Sequence, residues 1–282
     1  MGVTISSPLD HQFAGSIPAL YETYLVPMLF EPYAADIVGR VRMRAGSTIL
    51  EIAAGTGVVT RALALALPAD TSIVATDLNQ AMLDRAAAAG TSRPVEWRQA
   101  DAMKLPFPDG VFDTVVCQFG AMFFPDKAKA FSEARRVLAV GGAFVFSVWD
   151  RLAENELADI VTTALESVFP ADPPRFMDRT PHGYHDVRIV ERDLAGGGFN
   201  SPPQVFTIEA RSRAASARTA AIAFCQGTPL RNEIESRDSA LLGAATDAAE
   251  AALGRRFGDG AIDARMRAHV LIAAAGSTPS AE

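Results

Sequence analysis

The chain has 282 residues, a formal charge of −7 and 49% hydrophobic residues. That length suits one large domain or one domain carrying a lid, and the apolar content is enough for a core without covalent staples. The acidic balance argues against a stable electrostatic grip on nucleic acid or an anionic membrane, and no stretch approaches the ~20 apolar residues of a membrane helix.

Cys117 and Cys225 stand in apolar contexts outside any metal-spaced cluster and read as reduced, buried thiols. Met1–Asp10 lacks a basic segment followed by an apolar run, so no signal peptide is expected and the expected compartment is the cytoplasm.

Residues 13–43 carry helical, partly apolar patterning interrupted by Pro18, Pro27 and Pro32. Proline ends or kinks a helix, so the pattern predicts short helices here. The aromatics Phe13, Tyr21, Tyr24, Phe30 and Tyr33 suit either a helix pair packed on a core or a flap over a ligand. In the second case Tyr24 is the candidate to face a cation.

From Thr48 the pattern changes. Thr48–Ile52 is a β-rich run, followed by the turn Ala53-Ala54-Gly55-Thr56-Gly57 and a helix over Val58–Leu67. Strands follow at Ser72–Thr76, Val95–Gln99, Phe112–Gln118 and Ala143–Val148, with helices at Asn79–Ala89 and Asp126–Leu138. Residues 105–110 read as a loop, and Gly141-Gly142 as a turn. Strands alternating with helices at this spacing predict βαβ units, a parallel sheet and helices on both faces.

The second half is less regular. Helices are expected at Glu154–Phe169 and Val187–Leu194, a loop at 170–185, and a strand at Gln204–Ala210. Residues 214–256 read as helical with a break at Gly227-Thr228-Pro229, Ala264–Ala274 as a seventh strand, and Gly276–Glu282 as a frayed tail.

In an open parallel sheet, ligands bind beyond the carboxyl ends of the strands. The residues that carry chemistry stand there. Gly55-Thr56-Gly57 follows the first strand, Asp77 the second, Asp101 the third and Gln118-Phe119-Gly120 the fourth. Glycine lets backbone approach a ligand. A carboxylate about 20 residues beyond the glycine turn suits the adjacent hydroxyls of a ribose. Asp101 can accept from an adenine amino group while the Ala102 N–H donates to the ring. Acidic residues also tolerate a cationic ligand and repel a pyrophosphate.

The series Glu51-Ile-Ala-Ala-Gly55-Thr-Gly57, Asp77, Asp101-Ala102, Phe107-Pro-Asp-Gly-Val-Phe-Asp113 and Arg135-Arg-Val-Leu-Ala-Val-Gly-Gly142 resembles class I S-adenosylmethionine-dependent methyltransferases. The nearest flavour is the group similar to ubiquinone and menaquinone biosynthesis methyltransferases, and the resemblance covers roughly residues 46–150. It implies a Rossmann-like α/β fold with a seven-stranded, mostly parallel sheet, an antiparallel last strand and an inserted helical lid.

It also implies that Glu51 and the backbone of Ala53, Gly55, Thr56 and Gly57 surround the methionine part of S-adenosylmethionine. Asp77 would bind the ribose, Leu78 and Met82 would flank the adenine, Asp101 and Ala102 would meet its edge, and the Gln118 carbonyl would accept from the ammonium. The family often has glycine where this chain has Ala53, which is tolerable if that residue keeps φ < 0.

The resulting organisation is an N-terminal helical flap (1–45), a cofactor-binding core (46–150), a lid insertion (151–185), and the rest of the sheet (186–282) with a helical insertion at 211–260. In the lid, Arg175 and Arg179 suit an anionic acceptor and His182 or His185 a base, against the plainer reading of Arg175, Arg179, His182, Tyr184 and His185 as solvated loop residues. The catalytic base is not identified. Residues 224–230 either line a pocket or join two helices.

The expected partner is a small-molecule methyl acceptor, with no nucleic acid, no membrane and a homodimer as the one assembly considered. The alternatives are a nicotinamide-dependent oxidoreductase, disfavoured because Thr60 occupies the place of that motif's third glycine, and a non-catalytic S-adenosylmethionine-binding protein.

Overall fold

The computed structural model describes residues 8–44 and 46–276. The tail expected to fray lies, from residue 277 on, outside the described residues, as do residues 1–7 of the stretch read for a signal peptide.

A short 3₁₀ turn at Pro8–His11 precedes α1 (Ile17–Leu20), a π-helical stretch (Tyr21–Phe30) and α2 (Glu31–Arg42), which follow one another without a loop. The expected proline breaks do not occur, for local reasons. Pro18 sits in the first turn of α1, where the missing N–H has no partner to lose, and Pro32 continues directly from the π stretch into α2. Pro27 lies inside the π turns, where the Glu31 N–H bonds to Val26 O and the wider ring passes over the proline.

Then come β1 (Thr48–Glu51), α3 (Val58–Ala66), β2 (Ser72–Asp77), α4 (Gln80–Ala89), β3 (Glu96–Gln99), β4 (Phe112–Gln118), α5 (Lys127–Val137) and β5 (Leu138–Trp149). After β5 follow α6 (Glu156–Val168), α7 (Phe176–Arg179), α8 (Val187–Gly196), β6 (Gln204–Ala214), α9 (Ala217–Gly227), α10 (Leu230–Asp238), α11 (Leu242–Phe257) and β7 (Ile262–Ala274).

Two segments differ from expectation. The loop at 170–185 contains α7. Gly141-Gly142 is not a turn before β5 but part of a bulge within it: β4 advances from Phe112 to Thr114 while its partner advances from Leu138 to Ala143.

The seven strands form one sheet in the order β3-β2-β1-β4-β5-β7-β6. The pairs β1–β2, β1–β4, β2–β3 and β4–β5 are parallel. β7 opposes β5: as β5 runs from Gly142 to Asp150, its hydrogen-bonded partner retreats from Ala275 to Arg267. This is the mostly parallel Rossmann-like sheet with its last strand reversed.

The chain divides into two compact units. One comprises, of the described residues, 33–44, 46–148, 185–208 and 269–276. Its strands alternate by two residues, so successive side chains feed opposite faces. Ile49, Ile73, Val116, Val145 and Val270 pack with Ile37, Val38 and Val41 of α2 and Val59 and Leu63 of α3. On the other face Phe144 and Phe146 stack 4.5 Å apart and meet Phe131 of α5. Asp113 clamps the start of β1, accepting from Ser47 N, Thr48 N and Thr48 Oγ1 at 2.7–3.0 Å.

The other unit comprises, of the described residues, 8–32, 149–184 and 209–268. It is built on α6, α9 and α11, with α11 packed against both others. Ala245, Ala249 and Leu253 lie along the buried stripe of α11, and Leu157, Val161 and Leu165 along that of α6. Arg179 ties α7 to Asp10 (2.7 Å) and to Glu233 of α10 (3.3 Å), and Arg175 pairs with Glu166.

His182 is buried with Nδ1 2.8 Å from the Asp150 carbonyl. Of the arginines considered for anion binding, Arg179 is thus in a largely buried ion-pair cluster and Arg175 in a half-exposed pair, and His182 is not a solvated loop residue. Residues 224–230 join two helices: the Thr228 hydroxyl donates to Phe224 O at the end of α9 and accepts from Leu230 N at the start of α10.

Ala53 has φ +54°, not the negative value expected of an alanine there. The left-handed conformation costs a non-glycine residue about 1 kcal/mol. Its methyl is accommodated because Gly120 stands opposite; a Cβ on Gly120 would lie 2.4 Å from the Ala53 Cβ.

Urea titration checks both features. Ala53→Gly removes the left-handed penalty and should raise the midpoint, by about 0.5–1 kcal/mol in stability. Asp113→Ala removes the acceptor of the Ser47 and Thr48 N–H groups and should cost about 1–3 kcal/mol in the same titration.

Candidate functional site

The carboxyl ends of β1, β2, β3 and β4 converge on the glycine turn within a single unit. The turn is pinned from below. Ala54 N donates to Thr76 O at 2.8 Å and Gly55 N to Asp77 Oδ2 at 2.8 Å. Gly55 and Gly57 both adopt positive φ, at +58° and +83°. Gly57 has a second reason to lack a side chain, since a Cβ there would lie 2.8 Å from the Trp97 ring. The turn therefore presents bare backbone to the crevice at the mouth of α3.

Glu51 is the last residue of β1 and is 1% exposed. By the period of the strand it shares the face of Ile49, where the apolar cluster under α2 and α3 ends. Its Oε2 accepts from the Thr60 hydroxyl at 2.5 Å, and its main-chain carbonyl accepts from Thr76 Oγ1 at 3.0 Å. Burial pushes its carboxyl up to about 8, the Thr60 bond opposing and the neighbouring Asp77 adding to the rise.

Asp77 is raised too, mainly by burial, while N–H groups of Asn79 and Gly55 hold it toward the charged form. Cys117, buried behind them on β4, is pushed up to about 12 by desolvation, with Glu51 and Asp77 contributing. The nearest cation, Arg61, spends its Nη1 on Thr56 O at 2.6 Å.

The expected residues fall into three groups. Glu51, Ala53, Gly55, Thr56, Gly57 and Asp77 are drawn together around the turn. Thr56 is 1% exposed, and its Oγ1 has no hydrogen-bond partner among the described residues. Leu78, Asp101 and Ala102 lie at the adjoining strand ends, joined by Gln99 Nε2 to Leu78 O (2.8 Å) and Ala100 N to Asp77 O (3.0 Å). Leu78 is 53% exposed whereas Met82 is 2% exposed, so of this pair Leu78 presents open apolar surface. Asp101 caps its own loop through Met103 N at 2.8 Å.

Gln118 forms the third group. It ends β4, and the next residue, Phe119, has φ +52° and sets its ring edge-on to Tyr33 at 5.2 Å.

Sequence reasoning missed two contributors: the Thr60 hydroxyl and the Asn79 N–H. Thr60 had a readable signal. It stands one helical turn beyond Thr56, which brings its hydroxyl back toward the strand end.

The donor set fits a cationic, hydroxylated ligand. Two buried carboxylates stand beside a bare backbone turn, and an orphaned hydroxyl lacks the partner that a buried polar atom normally finds. A pyrophosphate would meet two acids. Among the described residues, no group of three or more histidine, cysteine or acidic side chains is placed to hold a metal ion, and no helix is long and apolar enough to cross a membrane.

Comparison with known proteins gives the family. Residues 50–146 match the methyltransferase domain model. The chain is 31% identical over 184 residues to the ubiquinone/menaquinone biosynthesis C-methyltransferase UbiE of Ectopseudomonas mendocina, covering 61% of this chain and 71% of that protein. It is 37% identical over 130 residues to the enzyme of the same name from Bordetella avium, an alignment that spans 45% of this chain and 50% of that relative.

Among solved structures, phosphoethanolamine N-methyltransferase 2 of Haemonchus contortus superposes with a TM-score of 0.58 at 15% identity, over 96% of this chain and 60% of that one, and so shares the fold. The chain therefore belongs to the class I S-adenosylmethionine-dependent methyltransferases, in the group of the ubiquinone/menaquinone biosynthesis C-methyltransferases.

Proposed function

We propose that this methyltransferase holds S-adenosylmethionine on the glycine turn after β1 and passes its methyl group to a small-molecule acceptor. One observation carries the assignment: the buried acids Glu51 and Asp77 flank a bare turn whose Thr56 hydroxyl is unpaired. The residues fit the parts of the cofactor. Glu51, Thr56 and the backbone of Ala53, Gly55 and Gly57 receive the methionine end, with the Gln118 carbonyl as acceptor for its ammonium. Asp77 takes the ribose hydroxyls. Leu78 covers the adenine from one side and Met82 backs it, with Asp101 and Ala102 at its edge.

When bound, the cofactor supplies a methyl group activated on a sulfonium. What the chain must add is orientation and exclusion of water, since methyl transfer is an in-line displacement. The two acids also favour a cation electrostatically where it is desolvated.

The acceptor is read as a small molecule because the aligned relatives are named for ubiquinone and menaquinone biosynthesis. The fold neighbour from Haemonchus contortus, likewise, was solved in complex with phosphomonomethylethanolamine and S-adenosylhomocysteine. By their place in the chain, residues 151–185 and 211–260, after β5 and between β6 and β7, are the segments to supply acceptor specificity. The formal charge of −7 argues against a nucleic-acid partner.

Two measurements test this reading. Asp77→Asn keeps the shape of the side chain but removes its charge, so affinity for S-adenosylmethionine should fall about 10- to 100-fold by calorimetry, the worth of one or two charged hydrogen bonds. Unchanged affinity removes Asp77 from the site. In a competition experiment, nicotinamide dinucleotides at millimolar concentration should leave S-adenosylmethionine binding unaltered; displacement would overturn the assignment of the pocket.

A further inference from the structure

We infer that arrival of the cationic cofactor drives a proton off the Glu51 carboxyl, so that donor binding and proton release are a single event. The inference rests on the cofactor assignment above and adds a property that assignment does not contain.

The geometry starts from the sheet. Glu51 occupies a position that strand periodicity gives to the apolar cluster of α2 and α3, two residues after Ile49 on the same face. A carboxylate there is out of water at 1% exposure. An isolated buried charge is far costlier than a buried neutral acid.

Its surroundings do not supply the compensation. From α3 it meets the Thr60 hydroxyl at 2.5 Å and the more distant charge of Arg61, whose Nη1 is bonded to Thr56 O. From β2 it meets Asp77, a second acid. From β4 it meets the Cys117 thiol, which burial keeps protonated.

Two interacting buried acids titrate as a pair, and one of them keeps its proton near neutrality. The hydrogen bonds decide which. Asp77 accepts N–H groups from Gly55 and Asn79, each at 2.8 Å, and these stabilise its charged form. The Glu51 carboxyl accepts from the single hydroxyl of Thr60. In the free enzyme Asp77 is therefore the ionised partner and Glu51 the protonated one.

A ligand bearing an ammonium and a sulfonium reverses the balance at Glu51, since opposite charge within a few ångströms favours the carboxylate. Glu51–COOH becomes Glu51–COO⁻, and the proton passes to buffer.

Because a proton leaves on binding, affinity should tighten as pH rises from about 6 to 8, by up to about tenfold per unit, and level off above that. In the free enzyme, a carboxyl that the fold keeps protonated stabilises the folded state below the ordinary carboxyl range. That contribution is lost as pH climbs toward about 8. The melting temperature of the cofactor-free protein should therefore fall across that interval.

The decisive experiment is calorimetric titration of the full chain with S-adenosylmethionine near neutral pH in phosphate and in Tris, buffers of different ionisation enthalpy. Observed enthalpies should differ by the amount for close to one proton released per cofactor bound. Glu51→Gln should abolish that difference and flatten both the pH dependence of affinity and this component of the melting curve. Asp77→Asn should instead lower affinity at every pH and keep a buffer-dependent enthalpy, which assigns the proton to Glu51. Clear binding with equal enthalpies in the two buffers overturns the inference and leaves the cofactor assignment standing. Absence of binding overturns the assignment and the inference together.

Discussion

The site depends on one contact, the N–H of Gly55 on the carboxylate of Asp77. It joins the turn after β1 to the tip of β2, and the neighbouring bond from Ala54 N to Thr76 O repeats the tie on the main chain. These two bonds tie to β2 a turn with three demands for unusual backbone, at Ala53, Gly55 and Gly57, which Gly57 N to Ala54 O and Arg61 Nη1 to Thr56 O brace from within and from α3. The left-handed Ala53 is part of the same arrangement. It persists because the surrounding structure over-determines it, with Gly120 leaving room opposite its methyl.

The acids at this turn are the exception to an otherwise consistent sheet. Every second residue of β1, β2, β4 and β5 enters one of two apolar layers, one under α2 and α3, the other under α5. Glu51 and Asp77 fall in the first layer by periodicity but carry carboxyls. Desolvation pushes both toward the neutral form, and of the two only Asp77 gives something back to the fold, by holding the turn. A local rule broken at a desolvation cost, as at Glu51, is what functional sites show. The helical unit handles its buried charge differently: Asp10 is paired with Arg179, and Glu233 with both Arg179 and Arg237, so two guanidiniums balance the two acids and the cluster serves packing.

The sequence by itself determined the order of strands and helices from residue 48 to the end of β5, because hydrophobic periodicity and glycine or proline punctuation are local signals. It also determined which residues stand at the strand tips, since position in an open parallel sheet follows from element order. The family resemblance rested on those same tips.

Tertiary structure decided the rest. Whether Pro27 breaks a helix depends on a π turn formed with Val26 and Glu31, and whether Gly141-Gly142 turns the chain depends on the register of β5 against β4. Neither is encoded in composition. The room for the methyl of the left-handed Ala53 comes from Gly120, 67 residues away in the sequence and facing it across the end of β4. The partners of Arg179, Asp10 and Glu233, are likewise contacts between residues that local patterning treats separately. A hydrogen bond or an ion pair has no period, so only the folded chain shows who meets whom.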